Sequence, residues 1–381
     1  MRPAERISIQ NIKRIANPEG RFGYLRLDKN EHLDMVNKRF LKQYKKYLTA
    51  EIISIYPEIT ETKKAVAAYA GVPVKHIFLS HGSDAAIKQV FDVFASEGSY
   101  VVLLEPTYAM YEIYAKMAGC NIKWIKCNEQ FMVNKEHIME VIDKDVCIVA
   151  IPNPNSPTGS EFDVDFLIAV LKKCQKLGVL LLIDEAYFPF SETTLMKLIN
   201  KEENLVVTRT FSKAFALGGC RAGFLAASSN LIESIQKARP IYEINALSAL
   251  AINVCLQNIH EMDAYVKRVK GGRDYLAMQC KKLGLIPYPA HTNFMNIRLP
   301  KKWDAGKLQE FSRANGILFK SGRSSGCFDN CIRVTLGPKI YMAKFVILLK
   351  KFMENTYGNE YTSEFRYHWL RPCSRSSIRF N

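Results

Sequence analysis

Short apolar runs alternate with segments of helical spacing through the middle of the chain. The apolar runs lie at 77–79, 100–104, 146–151, 179–183 and 205–207. The segments between them, such as 84–96 and 163–177, repeat apolar residues with the period of a helix, as does the segment 61–70. Strands that alternate with helices predict a mostly parallel sheet between two layers of helices. Ligands of such sheets bind beyond the carboxyl ends of the strands.

The pattern changes in the last third of the chain. One or two long helices are predicted over 240–282. Beyond them, short strands at 294–299, 317–319 and 331–336 flank predicted helices at 304–314 and 338–355. This is typical of a small α+β domain. We therefore divide the chain into an N-terminal segment 1–40 that joins the small domain, a large domain 41–255, the small domain 256–356 and a tail 357–381.

Composition mainly restricts the class of protein. Of the 381 residues, 48% are hydrophobic and 24% are charged, an ordinary globular balance. No apolar stretch approaches the roughly 20 residues that cross a bilayer, and residues 1–10 lack the apolar core of a secretion signal. We therefore expect a cytoplasmic protein that does not bind membranes. The ten cysteines are scattered, and the closest pair, Cys327 and Cys331, has no second pair beside it, which favours reduced thiols over a metal site.

The charge balance is strongly basic. The chain has 53 lysines and arginines against 37 acidic residues, a net charge of +16. These residues are spread along the chain without a long basic block, so we expect attraction to anionic substrates rather than to nucleic acid. A dinucleotide-type glycine motif between a strand and a helix, a Walker lysine and a His-Glu-x-x-His motif are all absent from the sequence. Nicotinamide, ATP and zinc chemistry are therefore not expected.

Polar residues follow two of the predicted strands. Asp184 and Tyr187 come after the run 179–183, and Lys213 and Arg221 come after the run 205–207. A lysine amine forms a Schiff base with the aldehyde of pyridoxal phosphate, and a carboxylate keeps the pyridine nitrogen protonated, so that the ring accepts electrons. Asp184 alone could be a helix cap, but a phenol three residues later could reach the ring hydroxyl of that cofactor.

Three further positions admit both a structural and a functional interpretation. Gly82, Ser83 and Asp84 open a predicted helix, whose start could be simply capped or could bind a phosphate. Tyr108 could stack on the pyridine ring or be an interfacial aromatic residue. Arg333 lies in an apolar strand, where its guanidinium needs an acid. That acid is either a substrate carboxylate or phosphate or the partner in a structural salt bridge.

In combination, these motifs resemble the fold-type I pyridoxal-phosphate aminotransferases, and among them the histidinol-phosphate aminotransferase branch. The resemblance extends over about 24–355, with further matching stretches at 27–31, 56–58, 106–108, 153–159 and 209–214. It implies an α/β fold in which the large domain holds a mixed, mostly parallel sheet between helices and the small domain is α+β. It also implies pyridoxal 5'-phosphate as the cofactor and a homodimer with shared active sites.

The resemblance implies a role for each matching residue. Lys213 would bind the cofactor and move a proton at the substrate α-carbon, while Asp184 and Tyr187 would bind the pyridine nitrogen and the ring hydroxyl. The phosphate would be surrounded by Ser83, Asp84, Ser212 and Arg221. The other cofactor-binding positions are Gly82, Tyr108, Asn155, Ser156 and Tyr56, the last reaching into the partner subunit's site. The substrate-binding positions are Asn30, Lys320, Arg323 and Arg333, of which Arg333 would grip the acid group.

Three departures from the family pattern concern the ligands. Ser156 stands where the family has the second asparagine of Asn-Asn-Pro-Thr-Gly, whose amide normally bonds the ring hydroxyl. Lys320 replaces an arginine and attracts an anion without the bidentate fork, which Arg323 nearby could compensate. The stretch from Asn30 to Leu33, Asn-Glu-His-Leu, replaces the family's Asn-Glu-Asn-Pro. These changes put the identity of the substrate in question.

We therefore predict a biosynthetic aminotransferase that acts on glutamate or 2-oxoglutarate and a small anionic amine, such as histidinol phosphate or serinol phosphate. A decarboxylase of threonine phosphate or serine phosphate uses the same cofactor machinery, and the sequence does not decide which bond at the α-carbon breaks. A regulator that kept the fold is a third alternative. It is disfavoured because every catalytic position is filled and the N-terminal segment is too short for a DNA-binding module.

Overall fold

The computed structural model describes residues 3–10, 12, 19–322 and 326–358, and its strands form two sheets. The first sheet has seven strands in the order β2-β8-β7-β6-β5-β3-β4. Their bounds are β2 Ile77–Ser80, β3 Tyr100–Glu105, β4 Asn121–Lys126, β5 Val146–Pro152, β6 Leu180–Asp184, β7 Leu205–Thr210 and β8 Gly223–Ala227. The second sheet has five strands in the order β1-β11-β12-β10-β9. Their bounds are β1 Leu25–Leu27, β9 Ile286–Pro287, β10 Phe294–Arg298, β11 Ile317–Ser321 and β12 Cys331–Thr335.

The helices connect the strands and cover the sheets. Those before β5 are α1 Ile7–Gln10, α2 Lys38–Tyr47, α3 Ala50–Ser54, α4 Thr60–Ala70, α5 Gly82–Phe94, α6 Ala109–Met117 and α7 Lys135–Val141. Those after β5 are α8 Val164–Leu177, α9 Ser229–Lys237, α10 Ala246–Gln257, α11 Ile259–Lys282, α12 Ala305–Ala314 and α13 Lys339–Tyr357. The predicted helical region 240–282 is thus two helices, which meet at Asn258. No helix in the described part of the chain combines the length and apolarity needed to cross a membrane.

The seven-stranded sheet is mixed. Strands β4, β3, β5, β6 and β7 run parallel, whereas β8 is antiparallel to both β7 and β2. A short connection without a crossover α-helix joins β7 to β8. This is sufficient because antiparallel neighbours do not require a long connection. Two strands, β4 and β8, were not predicted. The first is an edge strand that carries Asn121, Lys123 and Lys126, and the second is the short, small-residue sequence Gly-Phe-Leu-Ala-Ala.

Local signals and burial explain why α8 forms where it does. Asp163 caps its first turn by accepting a hydrogen bond from the amide of Phe166, and Gly178 ends it in the left-handed conformation at φ 70°. Leu167 and Leu171 are buried against the sheet. Each such side chain contributes about 1.5–3 kcal/mol when it is fully removed from water. The same apolar core includes Leu181 and Ile183 of the inner strand β6, all five of whose residues are buried.

The two sheets together define where a ligand can bind. Asp184 is the last residue of β6, Lys213 follows β7, and α5 begins two residues after β2. At the same edge, β1 pairs with β11 of the five-stranded sheet, so the segment after Leu27 is held by that sheet. The predicted domain boundaries stay a prediction. Arg323 and most of the predicted tail, 359–381, lie outside the described residues.

Candidate active site

Asp184 is a buried carboxylate without a cationic partner in the described part of the chain. The side chain of Thr208 donates to Oδ1 at 2.8 Å, and the hydroxyl of Tyr111 donates to Oδ2 at 3.1 Å. Burial raises the pKa of Asp184 to about 6, because the charged form loses its hydration. A protonated ring nitrogen would supply the missing positive charge, so this carboxylate fits the pyridine end of pyridoxal phosphate.

Lys213 lies in the loop between β7 and β8, with its side chain half-buried. Its Nζ donates to the carbonyl oxygen of Lys29 at 3.2 Å and lies 5.8 Å from the ring centroid of Tyr187. The neighbours Phe211 and Ala214 are buried in the core and fix the loop. The amine is therefore held at the carboxyl edge of the sheet, on the same side as Asp184.

Tyr187 is a buried phenol whose oxygen is engaged by an amide. Asn30 Nδ2 donates to Tyr187 Oη at 2.9 Å. The ring of Tyr187 meets that of Phe294 edge to face, with 5.3 Å between centroids. Tyr187 is 5% exposed and Asn30 is 4% exposed, so both groups are shielded from water. The structure thus joins a residue predicted on the substrate side to one predicted on the cofactor side.

Hydrogen-bond donors converge at the start of α5. No side chain caps this helix, so its first amides remain free to donate. Arg221 has φ 51° and its Nη1 donates to Ser212 Oγ at 3.4 Å. A Cβ at Gly82 would lie 2.8 Å from Arg221 Nη2, and one at Gly223 would lie 2.4 Å from the amide nitrogen of Ser83. Only glycine allows this close approach, and the resulting donors fit a phosphate.

Asp84 turns its carboxylate towards two phenols. Tyr108 Oη and Tyr114 Oη donate to Asp84 Oδ1 at 3.3 and 3.0 Å. The ring of Tyr108 lies 6.2 Å from that of Tyr111, nearly perpendicular to it. Since Tyr111 also binds Asp184, a chain of contacts links the start of α5 to the end of β6. The two interpretations of Tyr108 are compatible with this position, because its ring is 40% exposed beside the site.

The turn after β5 distinguishes Asn155 from Ser156. Asn155 Nδ2 donates to the carbonyl of Pro106 at 3.0 Å and to Thr158 Oγ1 at 2.9 Å, while its Oδ1 accepts from Thr107 at 3.2 Å. These bonds engage both ends of the Asn155 amide and hold the turn in place. The hydroxyl of Ser156 is half-buried and has no hydrogen-bond partner among the residues that the structure describes. It remains available to a ligand.

Arg333 has no acidic partner among the residues that the structure describes. Its Nη2 donates to the carbonyl of Asp28 at 3.4 Å, and its Nε is buried without a partner. The group stacks over Phe294, 5.2 Å from the ring centroid. No carboxylate of the described residues forms a salt bridge with it, so the structural alternative considered for this arginine is not found there. Burial lowers the pKa of Arg333, since the charged form is poorly solvated.

Residues 28–30, which we call the strap, contact three of the predicted site residues. The carbonyls of Asp28 and Lys29 accept from Arg333 and Lys213, and the side chain of Asn30 donates to Tyr187. The strap is held by Arg21, whose Nη2 pairs with Asp28 at 2.6 Å and with Glu31 at 2.7 Å. Three residues of the site were not predicted from the sequence, namely Arg21, Tyr111 and Thr208. Only Thr208 carried a signal, because a polar residue inside an apolar strand needs a partner.

Besides Tyr108, two of the predicted site residues are exposed. Tyr56 is 73% exposed and stacks on Tyr242, with ring centroids 4.5 Å apart. Lys320 is exposed on β11, where it pairs in register with Arg333 of β12. Its backbone is therefore beside Arg333, as expected for the substrate side. Tyr56 would need a second subunit to complete a site.

Comparisons with known proteins agree with this geometry. The model of the family described as aminotransferase class I and II matches residues 23–351. The histidinol-phosphate aminotransferase of Caldanaerobacter subterraneus subsp. tengcongensis is 30% identical over 316 residues, 82% of this chain and 88% of that protein. The structure of histidinol-phosphate aminotransferase from Sinorhizobium meliloti in complex with pyridoxal-5'-phosphate has a TM-score of 0.80 at 20% identity, over 94% of this chain and 98% of that one.

A decarboxylase has the same fold. The L-threonine-O-3-phosphate decarboxylase from Porphyromonas gingivalis has a TM-score of 0.71 at 20% identity, over 87% of this chain and 99% of that one. Fold and site together define a pyridoxal-phosphate-dependent enzyme of fold type I. The chain belongs to the class I and II aminotransferase family. The predicted fold class, cofactor and enzyme class are thereby confirmed.

Proposed function

We propose that this aminotransferase exchanges an amino group between glutamate or 2-oxoglutarate and a small phosphorylated or carboxylated amine of the histidinol-phosphate or serinol-phosphate type. The observation that carries the proposal is Arg333, a half-buried arginine whose Nε is buried and unpaired and which has no carboxylate partner among the described residues. Such a group favours an anionic ligand that can accept two hydrogen bonds. The net charge of +16 favours the approach of the same class of ligand.

The residues around Arg333 and Lys213 suggest how the chain serves the reaction. When bound, the cofactor supplies an aldehyde for the substrate amine and a ring that accepts electron density. Asp184 would hold the ring nitrogen, while Ser83, Ser212 and Arg221 would hold the phosphate with the first amides of α5. Lys213 would take the proton from the substrate α-carbon as a general base and return it as a general acid.

Further positions complete the proposed cofactor site. Tyr187 would donate its hydroxyl hydrogen to the ring oxygen, and Tyr108 would cover the ring. Ser156 would offer a second, shorter donor, since its hydroxyl has no partner among the described residues. Gly82, Asp84 and Asn155 would act indirectly, by allowing the approach of Arg221 and by orienting Tyr108 and the turn after β5.

The proposal includes a homodimer. Exposed apolar side chains adjoin the stacked Tyr56 and Tyr242, namely Ile53, Ile55 and Ile241. An exposed apolar patch of this kind is typical of a protein interface. A second copy that covered it would bring Tyr56 towards the partner subunit's site, as the family resemblance implies.

A panel of amines tests the proposed substrate class. The cofactor-loaded protein is mixed with histidinol phosphate, serinol phosphate, phosphoserine or threonine phosphate in the presence of 2-oxoglutarate, and oxo products, glutamate and carbon dioxide are quantified. We expect glutamate to form in step with an oxo phosphate. Carbon dioxide without glutamate from an amino acid phosphate would instead establish the decarboxylase, and preference for an uncharged amine would contradict the role of Arg333.

A further inference from the structure

We propose that Asn30 is a positioning residue for Tyr187 rather than a direct substrate ligand. This inference rests on the proposed role of Tyr187 at the cofactor. The evidence is the 2.9 Å hydrogen bond from Asn30 Nδ2 to Tyr187 Oη in a region from which water is excluded. Because the amide donates, the phenol oxygen serves as the acceptor, and the hydrogen of the phenol is left to point towards the ligand.

The surroundings of Asn30 fix which end of its amide faces Tyr187. Thr335 Oγ1 accepts from the backbone amide of Asn30 at 2.9 Å and donates its own hydrogen towards Asn30 Oδ1 at 3.5 Å. Asn293 Nδ2 donates to the carbonyl of Asn30 at 2.9 Å. With Oδ1 used in this way, Nδ2 is the end that reaches Tyr187.

The backbone of Asn30 is also specialised. Its φ is 58°, in the left-handed region, which asparagine tolerates better than most residues other than glycine. On either side, Asp28 and Glu31 are paired with Arg21, which holds the strap in place. A left-handed backbone conformation and an ion-pair network therefore hold the side-chain amide of Asn30 against the phenol of Tyr187.

The position of Ser156 shows why this arrangement matters here. The family's asparagine at that position normally bonds the ring hydroxyl directly, and a serine hydroxyl is shorter. The donated hydrogen of Tyr187 is then the main remaining contact to the ring oxygen. Asn30 would ensure that this hydrogen is not lost to another acceptor.

Aspartate at position 30 reverses the direction of the hydrogen bond. Asn30→Asp keeps the size of the side chain and the tolerance for φ 58°, but its carboxylate accepts the phenol hydrogen instead of donating to the oxygen. We expect the dissociation constant for pyridoxal phosphate to rise about tenfold, the loss of about one hydrogen bond to a charged group. The pH midpoint of the absorbance change of the bound cofactor should move in the same direction as in Tyr187→Phe.

A double-mutant cycle separates positioning from general destabilisation. If Asn30 acts through Tyr187, Asn30→Asp has less than about a twofold effect in the Tyr187→Phe background. A tenfold effect in both backgrounds would overturn the inference. If Tyr187→Phe alone leaves cofactor binding unchanged, the proposed role of Tyr187 fails and the inference fails with it. If only Asn30→Asp is silent, the proposed role of Tyr187 survives and the inference alone fails.

Asn330→Asp is the matched control. Asn330 also has a left-handed backbone, at φ 47°, and its Nδ2 donates to the carbonyls of Leu299 and Pro300 rather than to a site residue. The same substitution there removes a donor in the same kind of backbone. It should lower the unfolding midpoint without changing the cofactor dissociation constant, and an equal loss of cofactor affinity would contradict the inference.

A separate observation concerns two cysteines on different sheets. Cys127 follows β4 of the seven-stranded sheet, and Cys327 lies in a short helix next to β12 of the five-stranded sheet. Their sulfur atoms are 3.3 Å apart, with Cys127 as the donor. We infer that this pair forms a reversible disulfide that links the two sheets when the chain meets a low-molecular-weight disulfide such as oxidised glutathione.

The loop that carries Cys127 is already docked on the second sheet. The side chains of Tyr288 and Arg298 each donate to the carbonyl of Glu129 at 3.2 Å. The ring of Phe131 packs against those of Tyr288 and Phe328, at 4.4 and 4.8 Å between centroids. The two sulfur atoms are therefore held close together by contacts on both sides of the pair.

The chemistry proceeds by two exchanges. The thiol of Cys327, whose pKa is lowered by the hydrogen bond from Cys127, loses its proton and attacks the small disulfide, which releases one thiolate. The thiolate of Cys127 then attacks the sulfur of Cys327 and releases the second small thiol. Both protein thiols are oxidised, and one small disulfide is reduced to two thiols.

Mass spectrometry and thermal unfolding of the full chain test this link. After treatment with oxidised glutathione, we expect a peptide cross-linked between Cys127 and Cys327, a rise of the unfolding midpoint by at least about 5 °C and reversal by a dithiol. Cys127→Ser and Cys327→Ser should abolish both effects, while Cys147→Ser, a half-buried cysteine elsewhere in the sheet, should retain them. Stable glutathione adducts without the cross-link would overturn the inference.

Discussion

The proposed cofactor side of the site and its substrate side differ in how far the chain itself satisfies their polar groups. On the cofactor side, Asp184 accepts two hydrogen bonds and Asn155 makes three with the surrounding loops. On the substrate side, Arg333 has one long bond to a carbonyl and a buried Nε without a partner in the described part of the chain. The first region is organised by the chain's own contacts, whereas the second leaves donors for a ligand.

This difference indicates where specificity resides. A preorganised region binds the same group in every member of a family, so its residues can be recognised by motif. The substrate side depends on what the ligand brings, and there the chain departs from its family at Lys320. Four substitutions test this comparison, from the largest expected effect to the smallest.

Lys213→Arg tests whether the cofactor side depends on its amine. Arginine keeps the charge, but it neither forms the bond to the cofactor nor gives up a proton at neutral pH. We expect turnover to fall by about 10⁴-fold or more, because covalent and acid–base catalysis are lost together. Steady-state assay with the best amine measures this loss. Lys88→Arg, on the exposed surface of α5, should keep full activity.

Arg333→Met should separate binding from stability. Removal of a half-buried guanidinium whose buried Nε has no partner among the described residues should raise the free energy of unfolding of the ligand-free protein by about 1 kcal/mol. The same change should lower kcat/KM for the anionic substrate by about 10²–10³-fold. Urea unfolding and steady-state kinetics measure the two effects.

Arg298→Met, on the neighbouring strand β10, provides the comparison for Arg333→Met. Arg298 donates to the carbonyl of Glu129, which is not one of the proposed site residues, so its loss should leave kcat/KM unchanged. An equal loss of kcat/KM in both variants would remove Arg333 from the substrate side.

Asp184→Asn should change how stability depends on pH. Burial raises the pKa of Asp184 to about 6, so the folded ligand-free protein holds this proton more tightly than the unfolded chain. Stability from this group is greatest below about pH 4 and falls as the pH rises to about 6, by about 3 kcal/mol in all. Urea unfolding of the cofactor-free protein at about pH 4.5 and about pH 7.5 should show a smaller decline for the variant.

The same variant should also lose cofactor. A neutral amide does not pair with a protonated ring nitrogen, so the dissociation constant for pyridoxal phosphate should rise about 100-fold. The control is Asp143→Asn, which removes an exposed carboxylate that pairs with Lys123 at 2.5 Å and should leave cofactor binding normal. Normal cofactor affinity in Asp184→Asn would contradict the assignment of the ring nitrogen to this residue.

Ser156→Ala is expected to have the smallest effect. The hydroxyl has no partner among the described residues, so its removal costs at most one neutral hydrogen bond to the ligand. Cofactor affinity should weaken about two- to tenfold. Equilibrium dialysis measures the change, and Ser156→Asn should reverse its direction. Unchanged affinity and turnover in Ser156→Ala would remove this residue from the site.

The sequence was sufficient for the parts of the fold with strong local patterns. The inner strands β5 and β6 are continuous apolar runs, and α8 carries its own caps at Asp163 and Gly178. Edge strand β4 was missed, because Asn121, Lys123 and Lys126 interrupt its apolar residues and only Ile125 is buried. The split of the region 240–282 at Asn258 depends on tertiary packing, which leaves no periodic signal.

The candidate site divides in the same way. Lys213 and Asp184 could be predicted because each follows an apolar strand whose carboxyl end faces ligands. The contacts of Asn30 with Tyr187, 157 positions apart, could not, because they depend on the pairing of β1 with β11. Likewise, the motif that suggested a substrate contact for Asn30 contains no information on which neighbour its amide reaches.

The most direct test of the central claim is the half-reaction with one amino donor. Cofactor-loaded protein is mixed with glutamate without an acceptor, and 2-oxoglutarate is quantified against bound cofactor, for the natural sequence and for Arg333→Met. We predict one 2-oxoglutarate per site in the natural protein and a much slower release in the variant. Two results would contradict an aminotransferase that holds its substrate by this arginine. One is the absence of an oxo acid product with glutamate and with every amine of the panel. The other is release that is equally fast in Arg333→Met.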